Sequence, residues 1–128
     1  MSDAAAASTG PRADEQGLVS VLTSPARVRI VLAGPVDASL SDELATAARE
    51  AADAGVPVDV DTRTVTFMDS TVIAAIAHLA HRISHRVRFI EPPDLVRFLL
   101  EVTHIGEVVD VVDHDPGFPG ALSPTSAR

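Results

Sequence analysis

Residues 58–80, VDVDTRTVTFMDSTVIAAIAHLA, constrain the fold of this chain more than any other segment. Apolar and polar residues alternate toward Phe67, and the short stretch 68–71 leads directly into a segment with helical spacing. This order predicts a strand, a tight loop and a helix, with Ser70 at or beside the helix N-terminus. Backbone N–H groups are unpaired at such a position, so it favours negative charge, including that of a phosphate.

The composition limits the classes of protein to which the chain can belong. Its 128 residues fit one domain, and its core must be built from Val, Ile, Leu and Ala with four Phe, since Trp and Tyr are absent. Scarce aromatic residues and a net charge of −8 argue against nucleic-acid binding, which uses stacking side chains and a basic surface. The absence of cysteine excludes disulfides and thiol catalysis.

The two ends of the chain differ in composition from its middle. Residues 1–16 are Ala, Ser, Gly, Pro and charge without periodicity, and residues 116–128 are rich in Pro, Gly and Ser. These compositions predict a disordered N-terminal tail and a flexible C-terminal tail around a domain at 17–115. No apolar run approaches the roughly 20 residues that span a bilayer, and the N-terminus lacks a signal-peptide pattern. We therefore expect a cytoplasmic protein without membrane insertion.

Periodicity along the rest of the chain predicts the remaining elements. Short apolar runs predict strands at residues 18–22, 27–33, 58–67, 87–90 and 108–112. Helical spacing and capping signals predict helices at residues 39–55, 71–84 and 92–102. The resulting order, β-β-α-β-α-β-α-β, is typical of an α/β domain with one mixed sheet and helices packed on it.

The same periodicity predicts which side chains face the core. The apolar side of the third helix is predicted to consist of Leu95, Phe98, Leu99 and Val102. Asp59 and Asp61 alternate with valines, so they are expected on the solvated side of their strand rather than at a metal.

Two strand ends resemble those of the STAS domain, the family of bacterial anti-sigma factor antagonists. Gly34-Pro35-Val36-Asp37 matches the family's Gly-Glu-Leu-Asp-like turn. Residues 65–71, Val-Thr-Phe-Met-Asp-Ser-Thr, match a family segment that reads hydrophobic-Thr-Phe-Met/Ile-Asp-Ser-Ser/Thr-Gly. The resemblance extends over most of residues 18–113, and it implies a single STAS-like domain.

The resemblance also implies a role for each residue of the second motif. Ser70 would be phosphorylated by an anti-sigma factor that has serine kinase activity, and a phosphatase would reset it. The partner-binding residues would be Asp37, Asp69, Ser70, Thr71 and Val72. The unphosphorylated chain would bind the anti-sigma factor and free a sigma factor for transcription, for example in a stress response, and phosphorylation would release the complex. No cofactor is implied.

Val72 departs from the family pattern, because most relatives have Gly two residues after the serine. One alternative is therefore a degenerate paralogue in which Val72 has spoiled kinase docking. Another is a STAS scaffold, docked on a transporter's ATPase or in a stress-sensing assembly, in which Ser70 only caps a helix. Homodimerisation through an exposed strand or helix also stays open.

Two catalytic or metal-binding interpretations fit the sequence less well. His78, His81 and His85 follow helical spacing, but the Glu of the H-E-x-x-H zinc motif is missing, so a solvated basic face is favoured over a metal site. A Ser-His-Asp hydrolase built on Ser70 would want Gly-x-Ser-x-Gly, whereas the chain reads Met-Asp-Ser-Thr-Val. We therefore expect no metal, no cofactor and no enzymatic activity.

Overall fold

Strands and helices alternate along the chain in the predicted order. The computed structural model describes residues 16–118, so the predicted tail segments at 1–15 and 119–128 lie outside the described residues. The strands are β1 (Leu18–Thr23), β2 (Val28–Val36), β3 (Val58–Met68), β4 (Val87–Ile90) and β5 (Val109–Val112). The helices are α1 (Ser41–Ala54), α2 (Ser70–Arg82) and α3 (Asp94–Val102), with 3₁₀ turns at Ala38–Leu40 and Ile105–Glu107. The predicted α/β class and element order are confirmed.

The five strands form one mixed sheet in the order β1-β2-β3-β4-β5. β1 runs antiparallel to β2, and the other neighbours are parallel. Each parallel connection steps to the next strand, and such connections are right-handed as a rule, which places successive helices on one face of the sheet. There they enclose a single core whose members include Ile30, Val60, Phe89, Leu44, Ile76 and Leu100. Across residues 16–118, none of the helices has the length and apolar character that crossing a bilayer requires.

Gly34 shapes the end of β2 that leads to the functional site. Its φ is +68°, and a Cβ at this position would lie 2.7 Å from the carbonyl oxygen of Gln16. The pairing of β2 with β3 shifts register on either side of Gly34, as at a β-bulge. A residue with a side chain would be strained here, so the glycine fixes where the last residues of β2 point.

The helix-free face of the sheet carries a row of alternating charges. Arg29, Asp59, Arg88 and Asp110 are successive cross-strand partners from β2 to β5. Asp59 is 0% exposed and accepts hydrogen bonds from Arg88 (2.9 and 3.0 Å), from Arg29 (3.1 Å) and from Arg27 (3.1 Å).

This row corrects the expectation that Asp59 and Asp61 are solvated. Alternation did place them opposite the valines of β3, but both carboxylates are buried because arginine side chains and residues after β5 cover that face. Burial alone would raise the pKa of Asp59. The hydrogen bonds from Arg88, Arg29 and Arg27 outweigh that effect and hold its pKa below the usual value.

The orientation of α3 also differs from the prediction. The helix buries Val96 and Leu100, whereas Leu95, Phe98 and Val102 are exposed, Phe98 by 57%. Leu99 is half-buried between the two sides. The prediction was wrong because α3 is apolar on both sides, so periodicity alone could not identify the inward one.

Candidate functional site at the carboxyl edge of the sheet

Two aspartates lie side by side where β2 and β3 end. Val36 and Met68 are cross-strand partners at the last position of each strand. Asp37 and Asp69 are the next residues, and neighbouring strands lie about 4.8 Å apart. Each aspartate is followed at once by helical backbone, the turn Ala38–Leu40 in one case and α2 in the other. The parallel register therefore brings together the two motifs that the sequence separates by about thirty residues.

Asp69 is the N-cap of α2. Its carboxylate accepts hydrogen bonds from the backbone N–H groups of Thr71 (3.0 Å) and Val72 (3.2 Å). Ser70, the first residue of the helix, is exposed and does not take part in this cap. The N–H groups that the sequence suggested would be unpaired are thus occupied by the neighbouring carboxylate, and the Ser70 hydroxyl is left at the surface.

Asp37 caps the turn that precedes α1. Its carboxylate accepts from the side chain of Ser39 at 2.6 Å and from the backbone N–H of Ser39 at 2.9 Å. These hydrogen bonds, the side-chain one first, hold the pKa of Asp37 below its ordinary value. Ser41 donates to the Ala38 carbonyl and does not cap α1 with its side chain. Asp37 is therefore fixed as a charged group next to Asp69.

Four of the five predicted partner-binding residues come together at the surface, and the fifth is buried. Asp37, Asp69, Ser70 and Thr71 are at least partly exposed. Val72 is 1% exposed, because the helical repeat places it with Ile73 and Ile76 in the core. Its side chain therefore cannot contact a partner, and within α2 a β-branched residue is compatible with the helical backbone.

Phe67 is exposed at the same end of β3, although the sequence prediction did not include it. It is 47% exposed, whereas the next residue, Met68, is buried. Neighbouring residues in a strand face opposite sides, so burial of Met68 turns Phe67 outward. The alternation of side chains in β3 showed that Phe67 and Met68 face opposite sides. It did not show which of the two faces the core. Phe67 therefore places an exposed apolar side chain two residues before Asp69.

The arrangement offers few groups for catalysis or metal binding. His78, His81 and His85 are exposed. In residues 16–118 no three His, Cys, Asp or Glu side chains approach closely enough to hold a metal ion. No hydrogen bond joins Ser70 to a histidine in this part of the chain. The chemistry that the site does offer is an accessible hydroxyl next to two carboxylates, at the end of a strand that also carries the exposed ring of Phe67.

Several solved structures share this fold. The anti-sigma factor antagonist SpoIIAA in its unphosphorylated form superposes with a TM-score of 0.63 at 16% identity, over 76% of this chain and 88% of that one. An anti-sigma factor antagonist from Mycobacterium paratuberculosis gives 0.65 at 14% identity, over 90% and 96%. The Bacillus cell fate determinant SpoIIAA in its phosphorylated form gives 0.59 at 15% identity, over 76% and 91%.

Sequence comparison identifies the family. No curated protein sequence shows significant similarity to this chain. The family model described as Mlab, STAS domain, matches residues 19–112, which is most of the chain and covers the three helices and, apart from Leu18, the five strands. The chain therefore belongs to the STAS domain family.

Proposed function

We propose that this protein is an anti-sigma factor antagonist controlled by phosphorylation of Ser70. The observation that carries the proposal is the accessible Ser70 hydroxyl at the start of α2, next to the paired carboxylates of Asp69 and Asp37. The proposal is also supported by structural neighbours that are anti-sigma factor antagonists, one of which, SpoIIAA, is described in both unphosphorylated and phosphorylated forms. The proposed partner is an anti-sigma factor with serine kinase activity.

The unmodified surface has the chemistry of a docking site. Phe67 supplies an exposed aromatic ring, and Asp37 and Asp69 supply negative charge that is already fixed by backbone hydrogen bonds. Fixed groups lose little conformational entropy on binding. A partner surface with an apolar pocket bordered by Lys or Arg side chains would complement it, and the same partner would place its nucleotide near Ser70.

Phosphorylation would weaken this complex by local electrostatics. A phosphoserine carries a charge of about −1.5 to −2 at neutral pH. At Ser70 it would lie beside Asp69, whose carboxylate already holds the N–H groups of Thr71 and Val72. The new charge would therefore have to compete for these donors and would face like charge in the interface. Every loss of about 1.4 kcal/mol lowers affinity tenfold, so a few kcal/mol suffice for release.

The scaffold alternative gives Ser70 no role except capping. Asp69 performs the capping, and Ser70 contributes nothing to it, so this geometry favours the phosphorylation proposal. The degenerate-paralogue alternative depends on Val72, whose side chain is buried and does not reach the docking surface. If it holds nonetheless, Val72→Gly should restore phosphorylation that the natural chain lacks. An anti-sigma factor antagonist would act in the cytoplasm, with a phosphatase to reverse the modification and no catalytic step of its own.

Binding measurements on Ser70 variants test the proposal. The Ser70→Ala chain is used to capture ATP-binding serine kinases from cells of the source organism. The dissociation constant of the captured kinase is then compared for the natural chain, Ser70→Ala, Ser70→Glu and the control Ser84→Glu, which adds the same charge at an exposed position beyond the end of α2. We expect Ser70→Ala and Ser84→Glu to bind within about threefold of the natural chain and Ser70→Glu to bind at least tenfold more weakly. Equal affinities for all four chains would contradict the proposal and favour the scaffold alternative.

A further inference from the structure

Residues 113–118 return across the helix-free face of the sheet after β5. Asp115 is joined to Arg29 by two hydrogen bonds, from Nη1 to Oδ2 at 3.1 Å and from Nη2 to Oδ1 at 3.0 Å. Its Oδ2 also lies 3.3 Å from Arg63 Nη2. The backbone N–H of Asp115 donates to Glu91 at 3.0 Å. The Asp115 carboxylate thus pairs with two arginines, and the backbone of the same residue is held by Glu91.

An aromatic side chain follows the carboxylate onto the same face. The ring of Phe118 lies over the Arg29 guanidinium, with 5.5 Å between the guanidinium carbon and the ring centroid, a geometry suited to a cation–π contact. Gly117 donates its N–H to Asp115 at 2.8 Å, which sets the bend between the two side chains. A cavity of about 620 Å³ adjoins these contacts, and its other lining residues include Val21, Leu22 and Val31. The space is of the size that ligand sites have.

The part of the helix-free face that residues 113–118 cover is called the groove below. It is positively charged without this segment. Four arginines on the face, Arg27, Arg29, Arg63 and Arg88, pair with two strand aspartates, Asp59 and Asp61. Asp115, together with Glu91 at the edge, supplies the balancing charge. Arg29 is buried with 4% of its side chain exposed, so it is a built part of the groove and not a mobile surface group. The charge of the groove therefore favours an acidic occupant.

The segment that fills the groove is held by few contacts besides these. It contains no helix or strand, and its neighbours His114 and Pro116 are exposed. A segment with little buried apolar surface opens at low free-energy cost compared with the core. Its contacts with the groove are consequently of the kind that a competing peptide can replace.

We propose that the helix-free face is a recognition groove for an extended peptide with a carboxylate three residues before an aromatic ring, and that Asp115 and Phe118 occupy it in cis. The partner is a segment of another protein with the pattern Asp-x-x-Phe. Its carboxylate would take the two hydrogen bonds of Arg29, and its ring would stack on the same guanidinium. None of the residues that line this groove belongs to the Ser70 surface.

Competition between the two occupants gives the test. A short flexible tether holds the chain's own segment at an effective concentration in the millimolar range, which weakens binding of any free peptide. The probe is a fluorescent peptide with the sequence DHDPGFPG, read from residues 113–120. Its binding is measured by anisotropy to the natural chain and to the double variant Asp115→Ala/Phe118→Ala. We expect the double variant to bind it at least tenfold more tightly.

Matched controls separate recognition from a general loosening of the chain. Asp113→Ala removes only an exposed ion pair with Arg97 and should bind the probe like the natural chain. A probe in which Asn replaces the Asp that corresponds to Asp115, and Ala replaces the Phe, should not bind the double variant. Adding Arg29→Lys to the double variant should remove the bidentate contact and lower probe affinity at least tenfold.

A second readout on the natural chain makes the proposal testable even if the double variant does not fold. Millimolar probe should shift the amide resonance of Gly117 toward its unstructured position, because the free peptide then displaces the segment. A folded double variant that binds the probe no better than the natural chain would overturn the proposal. So would a Gly117 resonance that saturating probe leaves unchanged.

Discussion

At the scale of single residues, Asp69 and Ser70 divide two tasks that the sequence could not separate. A carboxylate and a hydroxyl in succession at a helix start are both good caps. The structure gives the cap to Asp69 and leaves Ser70 exposed. A residue with no structural duty can be modified without unfolding the helix, which is what a phosphoacceptor needs.

This division predicts unequal effects on stability. Asp69→Ala should lower the free energy of unfolding by about 1 kcal/mol, because two backbone N–H groups lose their acceptor. Ser70→Ala should stay within about 0.5 kcal/mol of the natural chain, as surface substitutions usually do. Urea unfolding followed by circular dichroism measures both. A loss for Ser70→Ala as large as that for Asp69→Ala would show that the serine is part of the cap.

Asp59 is the residue at which a single substitution should be most damaging. Asp59→Ala leaves Arg27, Arg29 and Arg88 without their shared, fully buried acceptor, and breaking such a group costs about 3–5 kcal/mol. The matched control is Asp110→Ala, which breaks an exposed pair with Arg86 and should cost less than about 1 kcal/mol. Denaturant unfolding of both variants compares them. Equal, small losses would mean that the buried network does not contribute to stability.

At the scale of elements, the sequence predicts whether a segment is a helix or a strand better than it predicts which side of that element faces the core. The strand, turn and helix around Ser70 were predictable because alternation changes to helical spacing at one point. Asp37 and Asp69 could be linked only by resemblance, since the register that joins Val36 to Met68 is set by two strands far apart in sequence. The helical repeat of α2 is enough to place Val72 in the core, whereas the family motif implied that Val72 binds a partner.

Helix α3 gives the prediction that belongs to this scale. Leu100→Ala should cost about 2–5 kcal/mol, because Leu100 is in the core, whereas Phe98→Ala should change the free energy of unfolding by less than about 1 kcal/mol. Thermal and urea unfolding of the two variants decide between the observed orientation and the one predicted from sequence. A larger loss of stability for Phe98→Ala than for Leu100→Ala would show that Phe98 packs in the core and would contradict the observed orientation of α3.

At the scale of the whole molecule, the sheet is protected in two different ways. Three helices cover one face with an apolar core, and arginine–carboxylate pairs closed by residues 113–118 cover the other. The second arrangement could not be predicted from sequence, because Arg29, Asp59 and Arg88 meet only after two crossovers have fixed the strand order. The predicted domain boundary at residue 115 falls inside this covering segment.

The charged face predicts a specific acid response. The hydrogen bonds from Arg29 lower the pKa of Asp115 from 3.8 to about 2, so its stabilisation is complete above about pH 4 and is lost as the pH falls toward 2. With about 1.4 kcal/mol per unit and allowance for partial exposure, the loss is about 1–2 kcal/mol. Unfolding of the natural chain and of Asp115→Asn should therefore differ at pH 6 and converge near pH 2. A constant difference across this range would show that Asp115 does not stabilise through its charge.

The central claim is that Ser70 is a phosphoacceptor, and mass spectrometry tests it most directly. The natural chain, Ser70→Ala and Thr71→Ala are each incubated with ATP and the serine kinases captured from cells of the source organism, and the intact masses are measured before fragment mapping. The account predicts a gain of about 80 Da, one phosphate, on Ser70 in the natural chain and in Thr71→Ala, and no gain in Ser70→Ala. A natural chain that stays unmodified at Ser70, or a phosphate that maps to another residue, would contradict the account.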